Sequence, residues 1–197
     1  MSARQFCQYG VLENMNLLEF KIGFWHPFGP HAGETTEEII KRKRDEINKN
    51  GWTLWSFQFR NTLKLWYQEI EKAKPNRVLV FCSEGKGARD PIGERKLCNY
   101  YIPINEVRPK EISIEIQIPH PMGKRTKGSA FIVKNIIYPV EYKAIPIEWL
   151  KNTKWQTAPL PTRPEYLIRF GQGRSIRKFR AILELQYPYL AEVGRCI

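Results

Sequence analysis

The sequence is short of the residues that build metal and redox centres. Its 197 residues include three histidines and four cysteines. Cys7, Cys82, Cys98 and Cys196 form no Cys-x-x-Cys pair, which argues against a zinc ribbon. A disulfide scaffold does not suit a non-secreted chain of this length, so the four are read as reduced thiols of a cytoplasmic protein. No apolar run approaches the roughly 18 residues of a membrane-spanning helix. The first residues, MSARQFCQYGVLENMNLLEF, lack the long apolar core and small-residue cleavage site of a secretory signal. There is no Gly-x-Ser-x-Gly elbow, no His-Glu-x-x-His and no Walker loop. Gly85-Lys86-Gly87 lacks the flanking residues of a phosphate loop and reads as a turn. His26, His31 and Glu34 share one loop, but their spacing matches no helix-face ligand pattern. Asp90 and Glu115 read as solvated acids rather than a nuclease pair. No cofactor and no metal are expected.

Acidic charge is also scarce relative to basic. Lys and Arg number 32 against 20 Asp and Glu, a formal net charge of +12. Such a surplus points to a polyanion, nucleic acid or an anionic surface. What the chain has in quantity is apolar and aromatic residues, 42% and 13%, enough for one sizeable domain over 1–197.

Hydrophobic periodicity divides the chain into elements. Residues 16–24 predict a strand, followed by a Pro- and Gly-broken loop over 25–34. Thr35 to Glu38 forms a capping box, and a helix runs from there to a stop at Asn50-Gly51. Its run Lys41-Arg42-Lys43-Arg44, balanced by nearby acids, reads mostly as a solvated face, with the Lys43 stem joining the apolar stripe. Residues 52–59 predict a strand with Thr53, Trp55 and Phe57 on one face and Trp52, Leu54 and Ser56 on the other. A second helix has the apolar face Leu63, Trp66, Tyr67 and Ile70. Residues 77–83 (RVLVFCS) carry a continuous apolar run and predict a buried central strand. Residues 84–110 read as loop, 112–118 as a half-buried strand, 120–128 as a basic loop, 128–139 as a strand and 166–170 as a short strand. A single helical turn is expected at 146–150, then a proline-rich connection over 152–164. Ser175 is placed as the cap of a final helix, with Ile176, Phe179, Ile182 and Leu183 inward and Arg174, Arg177, Lys178 and Arg180 outward. The sum is an α+β fold, a twisted or barrel-like mixed sheet with helices packed outside. Its core spans about residues 16–140, with the strand and helix of 166–190 packed on it.

Two groups of residues carry candidate chemistry. The aromatics around the first two strands either fill a core or form a slot in which a planar base stacks. The basic residues Lys124, Arg125, Lys127, Arg174 and Arg177 have few acids beside them and suit phosphate contacts, which position a strand without reading it.

The order strand, helix, GWTLWSFQFRN, helix, KPNRVLVFCSEG and, later, KGSAFIVKNI resembles the PUA-like superfamily, in its EVE, YTH and ASCH branches. The Arg60-Asn61 step after the aromatic strand, the segment Lys74 to Gly85 and the strand Gly128 to Val133 carry the likeness. The helix at 35–50 and the 84–110 loop are longer than that pattern. The resemblance implies a curved mixed sheet or pseudo-barrel with a pocket for a flipped or modified base. Trp25, His26, Trp52, Trp55, Ser56, Phe57 and Ser83 are then the candidate base-binding residues. The expected function is a nucleic-acid-binding module, for RNA or DNA, without catalytic residues. Rival readings are a metal-independent ribonuclease of the ASCH kind using Lys86 and Arg89, and a protein-interaction module.

Overall fold

The computed structural model describes residues 22–31, 33–57, 63–84, 95–117, 128–139, 142–146, 166–169 and 176–193. Among these, the strands are β1 (Ile22–Phe28), β2 (Thr53–Phe57), β3 (Leu79–Glu84), β4 (Arg95–Pro103), β5 (Lys110–Gln117), β6 (Gly128–Ile137), β7 (Tyr142–Pro146), β8 (Tyr166–Arg169) and β9 (Ile176–Val193). Helix α1 (Thr36–Asn50) joins β1 to β2, and α2 (Leu63–Ala73) follows β2. The fold is α+β, with one mixed nine-stranded sheet in the order β2-β6-β9-β3-β1-β8. β1 and β3 run parallel, as a strand–helix connection requires; β9 pairs antiparallel with β3, β4, β6 and β7.

The local signals explain the first half. Thr35 caps α1: its hydroxyl accepts from the Glu38 amide at 3.2 Å, and the Glu38 carboxylate accepts from the Thr35 amide at 2.7 Å. Gly51 ends the helix at φ 82°, in the left-handed region that favours glycine, with its amide on the Ile47 carbonyl at 2.7 Å. Ile39 and Ile40 of α1 and Leu63, Trp66 and Ile70 of α2 are buried against one face of the sheet. That face brings Phe24 and Phe28 of β1, Trp55 of β2, Val80 and Cys82 of β3, and Phe131 and Val133 of β6 into one core. Each such large side chain contributes about 1.5–3 kcal/mol by leaving water.

The opposite face holds a second core. Leu54, Ala130 and Ile132 alternate with the residues of the first, and Cys98, Tyr101, Ile114 and Ile116 of the β4–β5 pair cover them. β5 lies against β2 without pairing to it.

Three expectations are corrected. The first strand is Ile22–Phe28, so it runs into the stretch assigned to a loop. The 84–110 loop contains β4, whose Cys98 and Tyr101 are core residues. The final segment is an 18-residue strand, not a helix. Ala181, Ile182, Leu183 and Leu185 are all buried, because β9 has neighbours on both edges and cover on both faces. A run of that kind mimics a helical stripe, although Pro188 inside it already disfavours a continuous helix.

β9 also changes phase. Phe131 faces Leu190 while Val133 faces Leu185, so residues 186–189 bulge out of the ladder. Before the bulge Ala181, Leu183 and Leu185 enter the first core; after it Leu190 enters the first and Ala191 and Val193 the second.

Candidate functional site

The residues proposed from sequence as a base slot divide between the two faces. His26 and Trp55 meet in the first core: the indole Nε1–H donates to His26 Nε2 at 3.3 Å. His26 is 9% exposed and Trp55 6%, and Phe28 and Phe131 close around them, ring centres 5.1 Å from Trp55 and 6.2 Å from His26. Trp52 and Ser56 are half-buried; Trp52 packs at the border of the second core, 4.9 Å from the Tyr101 ring. Ser83 is buried, with its backbone in register with Pro27. Trp25 pairs in register with Phe81, and Phe57 with Ser129; their side chains lie outside what the structure describes. The aromatic strand is therefore covered on both faces, by helices on one and the β4–β5 pair on the other. For His26 and Trp55 the packed-core reading fits this geometry, and no base reaches them without opening the core.

The phosphate candidates Lys124, Arg125, Lys127 and Arg174 lie outside the described residues, as do Lys86 and Arg89, Asp90 and the segment 147–165 with its expected helical turn. Arg177, in β9, is placed by its backbone alone, opposite Ile145 of β7. Among the described residues no group of three or more His, Cys, Asp and Glu could hold a metal.

The basic run of α1 is not a solvated face. Arg42 grips Glu34 through both Nε and Nη2, at 3.1 and 2.8 Å, and its Nη1 donates to the Glu115 carbonyl at 3.2 Å. Lys43 Nζ donates to Glu46 at 2.8 Å and to the same carbonyl at 3.0 Å. Arg44 Nη2 caps the Ile136 and Tyr138 carbonyls at 3.2 and 2.9 Å. Glu46 also accepts from the Thr53 hydroxyl. Strand carbonyls at the sheet margin need donors, and these long side chains supply them while their stems fill space. Burial pushes the Lys43 amine down to about 8, against the opposing pull of Glu46. Burial also opposes the charge of Arg42, yet the contact with Glu34 and the nearby Glu46 and Glu115 hold its pKa above the ordinary arginine value. A groove of about 610 Å³ lies over this network, between α1 and β5. Its lining mixes both signs, Glu34, Glu38 and Asp45 with Lys41, Arg42 and Lys49, so it presents no single-sign surface to a polyanion.

Sequence reasoning missed a third assembly, at the β9 bulge. Tyr187 is 56% exposed. Its hydroxyl accepts from the Asn105 side-chain amide at 2.7 Å and lies 3.1 Å from the Tyr67 hydroxyl. The Tyr189 ring stands edge-on to it, with centres 5.6 Å apart. Tyr189 has φ 72°, a left-handed conformation costly for a bulky side chain. Partial burial, the Tyr187 hydroxyl and the Glu71 carboxylate hold the Tyr67 phenol above the ordinary tyrosine range. The sequence signal was present, as Tyr-Pro-Tyr in an otherwise alternating segment, but the assignment to a helix dissolved it.

Compared with family models, with curated proteins and with solved structures, the chain has no match.

Proposed function

We propose that the chain is a nucleic-acid-binding module in which basic segments hold phosphates and an aromatic ring stacks on a base. The observation that carries this reading is the net charge of +12, of which Lys124, Arg125 and Lys127 form a stretch with no acid. The charges α1 contributes are largely taken up in the protein itself, by Glu34, Glu46 and strand carbonyls, and this leaves the polyanion to other segments. Lys124, Arg125, Lys127, Arg174 and Arg177 are the phosphate contacts in this reading. A PUA-like pseudo-barrel is the finer fold reading; the approach of β5 to β2 around a common core supports it. The ring that receives the base is not Trp55, which is closed in the core. A reducing compartment such as the cytoplasm is the location that goes with this reading.

The test is equilibrium binding of the full chain to single- and double-stranded RNA and DNA at two salt concentrations. Phosphate contacts predict affinity that falls steeply with salt, with a slope near −0.7 to −0.9 per contact. Absence of binding at low salt overturns the proposal.

A further inference from the structure

We propose that Tyr187 is a stacking platform for an unpaired base, an inference that rests on the nucleic-acid reading above and names its aromatic contact. Three elements converge to hold this one exposed ring. Asn105, in the turn between β4 and β5, donates to its hydroxyl at 2.7 Å. Tyr67, on α2, meets the same hydroxyl at 3.1 Å. Tyr189 braces the ring edge-on. Asn105 donates to the Tyr187 hydroxyl, which keeps its own proton to share with the Tyr67 hydroxyl. The turn is itself pinned to β9, since the Ile104 amide donates to the Leu190 carbonyl at 3.1 Å, just past the bulge.

An exposed tyrosine on a flexible side chain loses rotamer freedom when a ligand lands on it. A ring already held at its hydroxyl and its edge does not, so more of the stacking energy appears as affinity. The bulge keeps Tyr187 out of the ladder at the expense of a left-handed Tyr189, and backbone strain of this kind collects at binding sites. The occupant is a base rather than an apolar peptide because the chain's surplus charge recruits a polyanion, and a base offers a flat face to a flat ring.

The experiment compares the full-length protein with Tyr187→Ala, Tyr187→Leu and Tyr187→Trp. Binding to short labelled single-stranded oligonucleotides and to the matching duplexes is measured at low salt. The expected result is a loss of about 10-fold for single strands in the Ala and Leu variants, retention in the Trp variant, and duplex affinity unchanged. An unchanged salt slope in all variants shows that the phosphate contacts are intact. If the parent chain binds single strands and Tyr187→Ala binds them equally well, the platform is wrong and the nucleic-acid reading stands. If the parent binds no nucleic acid, both fall. Self-association that Tyr187→Ala abolishes assigns the ring to a second copy of the chain and likewise overturns the platform.

Discussion

The aromatic cluster around Trp55 and the one around Tyr187 are built from similar residue types and have opposite fates. Trp55, His26, Phe28 and Phe131 lie between the sheet and its helices, and their polar atoms are turned on one another, indole to imidazole. Tyr187 and Tyr189 ride on a bulge of β9, with Tyr67 of α2 beside them, and the Tyr187 hydroxyl is shared between Asn105 and Tyr67. The difference lies in strand position. β2 is roofed on both faces, so alternation sends Trp55 into one core and Leu54 into the other. The four residues of β9 at 186–189 stand against the single residue Ile132 of β6 and leave a ring in water. Richness in aromatics therefore marks where a chain packs before it marks where it binds.

This contrast is open to direct attack. Trp55→Ala should cost about 3–5 kcal/mol in urea unfolding, whereas Tyr187→Ala should cost below about 1 kcal/mol. Equal losses would abolish the distinction. Next in size, Arg42→Ala should cost about 3 kcal/mol, because it removes the guanidinium that grips the buried carboxylate of Glu34; replacing both partners, as Glu34→Gln with Arg42→Met, should recover much of the loss.

A smaller effect is legible in pH. The Lys43 amine titrates near 8 when folded and near 10.5 when free. Between those values the unfolded chain holds the proton that the folded one has released, so this group's contribution to stability rises with pH from about 8 to 10.5. Lys43→Met should remove that rise in denaturation curves taken across the window. Tyr138 works in the opposite sense: partial burial and the Glu37 carboxylate raise it to about 12, so its contribution falls as pH passes from 10 toward 12. The smallest effect is chemical. Burial holds Cys82 as a thiol, well above the usual range, so alkylation mapped by mass spectrometry should leave Cys82 unlabelled until the protein unfolds.

Much of the first half was legible because its signals are local. A capping box, a glycine at positive φ and a 3.6-residue stripe each involve neighbours in sequence, and α1 and α2 begin and end close to where those signals put them. The alternation of Trp52 to Phe57 and the apolar run of 77–83 likewise matched strands. β4 escaped notice because glycine and charge dominate its surroundings, although Cys98 and Tyr101 turn inward. The basic run of α1 misled in the same way, since the carbonyls that Arg42, Lys43 and Arg44 satisfy are about 70 to 95 residues away in sequence.

By itself the sequence determined the helices, the alternation of the inner strands, the α+β class and the surplus of positive charge, because each is a property of adjacent residues or of their sum. Tertiary structure decided the rest. Burial depends on what covers a strand, and only the fold placed helices over Trp55 and the β4–β5 pair over Leu54. Only the pairing of β9 with strands on both edges turned a helical-looking stripe into an extended one, and only the mismatch in that pairing pushed Tyr187 into solvent. Contacts between residues distant in the chain have no local signature, and the candidate platform is made of such contacts.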